Sequence, residues 1–373
     1  MNIRTLIDTI VARFRKSEPV VIARPQIVTS GMSWGFAEVW NQSLTVRAER
    51  PYVPRDYVWA SEIGGPMIDR YLKMQGVQPS NAPNMRSLRK FQAGDIWEWL
   101  CALVLKRAGI LIEQQTKLSF QYPGLLRTSG KLDFLAGGQP EWARARREMS
   151  GLGLPEMIQN ASLAIIDRLE SAFGNEPLKT IVLEIKSTSS FMYAKYERTG
   201  QANANHRCQA FHYLKAQGLS EAHVVYVCRD DCMLLEFGIF NPSYVEHEYK
   251  TDLAEITGYV ESNTRPPLER EILFDNKLFR FEKNWKVEYS NYLTMLYGYR
   301  EPIEYRERVD KPIASWNRTF KRCVKGDKMT EKNQTAIAEA KKVFPAWDDY
   351  VVRAKSAAAK NPKLIEADEA EAA

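Results

Sequence analysis

The chain has 373 residues and a formal charge of +6, from 52 Lys and Arg against 46 Asp and Glu. With 45% apolar and 26% charged residues it is neither disordered nor fibrous, and no run approaches the ~20 apolar residues of a membrane span, which excludes an integral membrane protein. Five cysteines speak for a reducing, cytoplasmic setting over a disulfide framework, and the length suits two or three structural units or one domain with large insertions.

Residues 1–16 carry Ile3, Leu6, Ile7, Ile10, Val11 and Phe14 at helical spacing, which predicts a short docking helix. The stretch 17–60, rich in Pro, Ser and aromatics without a sustained period, reads as an irregular arm. Ser61 and Glu62 suit the start of a helix over 63–74. A second helix over 87–108 presents Phe91, Ile96, Trp99, Leu100 and Val104 as its apolar face and ends at Gly109. A hairpin follows, 116–122 and 125–135 around Pro123-Gly124. Residues 139–178 form an Arg-rich helical insertion with Arg144, Arg146 and Arg147. TIVLEI, 180–185, is a buried strand. A helix over 201–216 stops at Gly218, and strands over 223–227 and 233–240 meet across Arg229-Asp230-Asp231.

Downstream, Arg306, Arg308, Lys311, Arg318, Lys321, Arg322 and Lys325 alternate with Tyr299, Tyr305, Trp316 and Phe320. That interleaving suits a phosphate backbone and stacked bases, and equally a solvated face with aromatic anchors. A helix is expected around 335–343. The final eight residues hold Glu366, Asp368, Glu369 and Glu371 and no base, a mobile acidic tail. The divisions are therefore 1–57, helix and arm; 58–265, an α/β core with its insertion at 139–178; 266–353, a basic and aromatic region; and 354–373, the tail.

Within the core, Asp133 lies in the alternating strand SGKLDFL, while Glu184 and Lys186 end TIVLEIK. Period-two alternation puts Glu184 and Lys186 side by side on one face. If the Asp133 strand is the neighbour, two carboxylates and one ammonium converge. Such oxygens suit Mg²⁺ with water positions left for a substrate phosphate, and the lysine suits developing charge. An acid, any residue and a lysine recur at Glu184, Glu248, Asp275 and Glu339, and only Glu184 ends a buried-looking strand. A cross-strand salt bridge is the plainer reading of that pair alone. Upstream stands Glu98, where a further metal-directed acid is expected. Downstream His206, Gln209 and Tyr213 fall at i, i+3 and i+7, a stripe that suits a nucleic-acid end if it points inward, or water if it does not.

In order and context these pieces resemble the PD-(D/E)xK nuclease superfamily, in its RecB-like and phage-exonuclease branch. The motifs are Gly94-x-x-x-Glu98, Gly130-Lys131-Leu132-Asp133, Glu184-Ile185-Lys186 and Gln209-x-x-x-Tyr213, across 58–265. The resemblance implies a restriction-endonuclease-like α/β core: a mixed central sheet flanked by helices, with a helical insertion and a C-terminal extension. It implies a DNA exonuclease dependent on Mg²⁺ or Mn²⁺, serving recombination, replication or repair, with a phage origin and a host-cytoplasmic location. Asp133 and Glu184 would bind metal with the Ile185 carbonyl, Glu98 would support that site, and Lys186 would be the catalytic lysine. Gln209 and Tyr213 would orient the DNA.

Asp133 and Glu184 stand 51 positions apart, long for the family, which the insertion accounts for. The cysteines lack the spacing of the iron–sulfur relatives, so no cluster is expected. With no P-loop, no nucleotide cofactor is expected either. Zinc at Cys208 and His212 with Cys228 and Cys232 is the lesser reading beside ordinary buried cysteines. Expected partners are double-stranded DNA ends or single strands and a recombination or replication protein, with oligomerisation open and no membrane. Arg318, Lys321 and Arg322 would widen the DNA surface. The rival functions are a non-catalytic DNA-binding scaffold and a structure-specific or repair endonuclease.

Overall fold

A computed structural model describes residues 36–48, 51–240 and 243–361. The expected first helix and the acidic residues after 361 lie outside them. The described residues fall in two compact units, one holding 36–48, 51 and 82–97 and the other 52–81, 98–240 and 243–361.

In the first unit, α1 (Phe36–Ala48) replaces part of the expected irregular arm. Its weak periodicity hid it from the sequence. Contacts with the first half of α3 (Met85–Arg107) hold it in place. Arg89 donates to Asn41 Oδ1 at 2.6 Å, the Trp40 indole donates to Gln92, and Leu44 and Leu88 are buried. Secondary structure without strong local preference is commonly settled by such tertiary contacts.

The second unit is built on a six-stranded mixed sheet. Strand β1 (Tyr57–Trp59) leads through a 3-10 turn to α2 (Met67–Met74). That helix starts later than 63 because Gly64, at φ 76°, turns the chain and Pro66 provides the boundary. Beyond α3 come β2 (Leu111–Phe120) and β3 (Arg127–Gly138), the expected hairpin with longer arms. The insertion is a helical pair, α4 (Trp142–Ser150) and α5 (Glu156–Phe173). Then follow β4 (Leu178–Thr188), α6 (Ser190–Thr199), α7 (Ala204–Ala216), β5 (Ala222–Cys228), β6 (Leu234–Ile239) and α8 (Ser243–Glu261).

Strand β3 organises the sheet. It pairs antiparallel with β2 along one edge. Its other edge is shared: β1 runs parallel to Arg127–Ser129, and β4 runs antiparallel from Phe134 onward. Between these two partners, residues 130–133 face an opening in the sheet. Beyond it β4 pairs in parallel with β5, and β5 antiparallel with β6. Val182, Val224 and Tyr226 pack with Ala210, Tyr213 and Leu214 of α7. Among the described residues no helix is long and apolar enough to cross a membrane.

Two expectations about buried faces are overturned. The apolar side of α3 is not its packed side, because Ile96, Trp99 and Val104 are 51%, 61% and 58% exposed. The helix is held from an offset direction: Leu103 packs with Trp142, Met149 and Ile166 of the insertion, and Arg107 donates to Ser162 Oγ at 2.7 Å. The second concerns the C-terminal aromatics. Tyr299, Tyr305, Trp316 and Phe320 are buried in a cluster built on the β7 (Ile272–Asp275) and β8 (Arg280–Lys283) hairpin. Short helices α9 (Trp285–Glu288) and α10 (Leu293–Tyr297) lead into α11 (Pro302–Lys325), α12 (Glu331–Val343) and α13 (Trp347–Lys360). These rings are anchors, and base stacking is withdrawn for them. Because α13 runs on to Lys360, the expected tail boundary at 354 falls inside a helix.

Residues after 265 also reach back to the sheet-bearing core. Tyr292 lies in one apolar cluster with Tyr71, Phe211 and Tyr249. The buried Asp69 carboxylate accepts from Ser290 Oγ and the Asn291 N–H, both at 2.7 Å.

Candidate active site

TIVLEIK forms a strand because a β-branched and apolar run suits a position between two neighbours. The same run carries two charges at its end, where β3 has diverged and side chains can enter the opening. The last β3–β4 pair there is Phe134 with Leu183, so one step further sets Asp133 against Glu184. Asp133 Oδ2 accepts the Ile185 N–H at 2.8 Å, filling the place of the missing strand. N–H and C=O of one strand residue point to the same edge. The Ile185 carbonyl therefore faces the opening too.

Glu184 is fully buried, and the Lys186 ammonium donates to its Oε1. Glu184 Oε2 is buried without a hydrogen-bond partner. Burial, then the Asp133 carboxylate, pushes the Glu184 carboxyl up to about 8. Burial likewise raises Asp133 against the pull of Lys186 and the Ile185 N–H. For Lys186 burial works the other way, but Glu184 and Asp133 outweigh it and hold the ammonium above its ordinary range. Fully ionised, two carboxylates facing one ammonium would leave an excess of negative charge in a dry place, which is why Glu184 holds its proton, and its Oε2 stands there without a partner. That donor set fits a hard divalent cation with oxygen ligands. Among the described residues no group of three or more His, Cys, Asp or Glu side chains is gathered for a metal.

Glu98, on α3, is held by a 2.6 Å bond from Gln115 Nε2, and its charge contributes to raising Lys186.

The stripe on α7 points inward. Lys186 is the register partner of Tyr226, so both lie on the sheet face that α7 covers. Tyr226 Oη accepts the Asn203 N–H at 2.9 Å and meets His206 Nδ1 at 2.8 Å, pinning the start of α7 beside the lysine. Burial and then Lys186 pull His206 down to about 3, so the ring is neutral at ordinary pH. Gln209 Nε2 donates to Tyr213 Oη at 3.3 Å, and burial and the Glu184 charge raise the Tyr213 phenol. Tyr226 was missed in the sequence because a tyrosine in a strand reads as core; its register with Lys186 singles it out.

Tyr213 also explains Gly130. A Cβ there would stand 2.6 Å from Tyr213 Oη and 3.0 Å from the Ala60 Cβ. Gly130→Ala is expected to cost about 1–3 kcal/mol by overpacking, and Tyr213→Phe in the same chain to recover part of it. Urea melts of the four proteins check this; additive losses would mean that the tyrosine is not what restricts the glycine.

The structure gathers Asp133, Glu184, Ile185 and Lys186, with Glu98, His206, Gln209 and Tyr213 around them. Arg318, Lys321 and Arg322 sit instead on α11 in the C-terminal region. In the insertion, Arg144 pairs with Glu141 and Glu148, and Arg146 with Asp167 and Glu170. Those charges are largely answered within the helical pair.

No family model matches the chain, and no curated protein matches it. Solved structures distantly similar to the chain include these three. SSO0001 is 16% identical over 69% of this chain and 94% of its own, with a TM-score of 0.38. LHK-Exo in complex with dAMP is 13% identical over 56% and 89%, at 0.36. The alkaline exonuclease LHK-Exo from Laribacter hongkongensis is 14% identical over 60% and 97%, at 0.34. Likenesses this distant do not define a family.

Proposed function

We propose that the protein is a metal-dependent deoxyribonuclease that hydrolyses phosphodiester bonds from DNA ends. The observation that carries this reading is the sheet opening between β3 and β4, where Asp133, Glu184 and Lys186 converge around an unpartnered carboxylate oxygen. Asp133, Glu184 and the Ile185 carbonyl would hold Mg²⁺ or Mn²⁺, which when bound polarises a phosphate and acidifies water.

The chain's own groups supply the rest. Lys186 Nζ keeps its protons and donates to a non-bridging phosphate oxygen as negative charge builds there. With the Tyr226 hydroxyl donating to its Nδ1, neutral His206 would carry its proton on Nε2 and be a second donor on the same side. Gln209 and Tyr213 orient the backbone of the terminal nucleotide. A structural salt bridge between Glu184 and Lys186 would need neither Asp133 nor a buried oxygen without a partner.

Arg318, Lys321 and Arg322 extend the DNA surface in this reading. Replacing all three with glutamine is expected to weaken DNA binding and to flatten the slope of log affinity against log salt by up to about 2–3. Equal affinity at every salt concentration would remove them from the interface.

The deciding experiment follows end-labelled linear and closed circular DNA with Mg²⁺ or Mn²⁺. Metal-dependent loss of linear DNA alone supports an exonuclease. Cutting of circles makes it an endonuclease, and binding without cleavage makes it a scaffold.

A further inference from the structure

Strand β2 keeps its register with β3 beside the site: Gln114 faces Phe134 and Thr116 faces Leu132. Gln115, between them, stands opposite Asp133 and has a φ of 54°. A left-handed backbone is unfavourable for a residue with a long side chain. No inserted residue accounts for it here, since the same number of residues lies on both strands. The other non-glycine residues of positive φ among those described, Cys232, Asn263 and Phe279, lie in turns or loops, whereas Gln115 lies inside a strand. Such strain persists where surrounding structure over-determines it, and it collects at functional sites.

In this conformation Gln115 directs its amide to Glu98, with Nε2 to Oε1 at 2.6 Å. Glu98 contributes to the electrostatics of both Lys186 and Cys101. We propose that Gln115 is a positioning residue of the site: its left-handed turn opposite Asp133 sets the Glu98 carboxylate toward the Asp133, Glu184 and Lys186 cluster. This rests on the nuclease reading and deepens it. A glutamate on a helix has three rotatable side-chain bonds, and a fixed amide donor selects among them before a cation arrives.

The test compares wild type, Gln115→Gly, Glu98→Gln and the double variant. Each is melted without metal and across a Mn²⁺ titration, and its kcat and KM on linear DNA are measured. Glycine takes the left-handed φ without a Cβ penalty, so Gln115→Gly is expected to melt at or above wild type without metal. It should need about 10-fold more Mn²⁺ for half of the metal-induced rise in Tm. At limiting metal its kcat should fall about 10-fold with KM for DNA unchanged. Glu98→Gln should show a comparable change, and the double variant no more than the larger single effect.

Gln115→Gly matching wild type in the metal titration, beside an impaired Glu98→Gln, would overturn the positioning role and leave the nuclease reading standing. A metal-free Tm well below wild type would also overturn it, by showing a structural role. Wild type with neither metal-induced stabilisation nor cleavage would remove the nuclease reading itself, and the positioning role with it.

Discussion

Lys186→Ala is expected to slow DNA hydrolysis by about 100–1,000-fold while leaving DNA affinity within a few-fold. The reason is local. Lys186 is the cation in direct contact with Glu184, at the end of a strand whose neighbour has turned away. Its charge would matter most where a phosphate gains negative charge in a dry setting, because the low dielectric strengthens the interaction. Removing it also leaves Glu184 and Asp133 facing each other, so one carboxyl must keep its proton. Lys186→Met, which retains the bulk of the chain, separates lost charge from lost packing. Single-turnover cleavage with saturating enzyme gives the rate, and fluorescence anisotropy at the same salt gives the affinity. A rate within tenfold of wild type would show that the lysine is only a salt-bridge partner.

The second large effect concerns acidity. In the metal-free protein the Glu184 carboxyl sits at about 8, against 4.5 for an ordinary glutamate, chiefly through burial and then through Asp133. Between those values the folded protein keeps a proton that the unfolded chain has released. Stability therefore falls as pH rises through that window and levels off above it. Asp133, raised by burial, acts in the same direction. Lys186, raised above its ordinary value, stays charged throughout and adds no slope there. The loss should be on the order of 2–4 kcal/mol across the window. Glu184→Gln should remove most of the slope and be more stable than wild type at pH 8. A divalent cation should restore wild type at that pH and do little for the glutamine variant. Denaturant melts at several pH values, with and without Mg²⁺, read all of this. A wild type whose stability is flat from pH 5 to 8 would show that Glu184 ionises freely.

The core strands were legible because their chemistry is uneven. TIVLEIK is an apolar run that ends in charge, and SGKLDFL alternates with a carboxylate in phase. Those two facts gave the neighbouring strands and their convergence. The inward α7 stripe was half legible: the spacing of His206, Gln209 and Tyr213 gave one face, but only the packing on Tyr226 gives its direction. What failed depended on neighbours. Trp99 and Val104 look like a core stripe, yet α3 is approached from the side of Leu103. Trp316 and Phe320 look like a nucleic-acid surface, yet α12 and α13 close over them. The left-handed φ of Gln115 had no sequence signal, since glutamine is not a turn former.

Residues 266–300 are bound into the core, which limits how the protein can be shortened. A chain cut at 265 would lose Tyr292 from the apolar cluster it shares with Tyr71 and Tyr249, opening a cavity the size of an aromatic ring. It would also strip the Asp69 carboxylate, buried in the whole chain, of both its donors. The sheet that bears the candidate site would then stand on a perforated floor. A fragment that keeps this floor cannot end at α8, and one that ends after α10 would in turn strip Phe281, Val287 and Leu293 of the α11–α13 side of their own cluster.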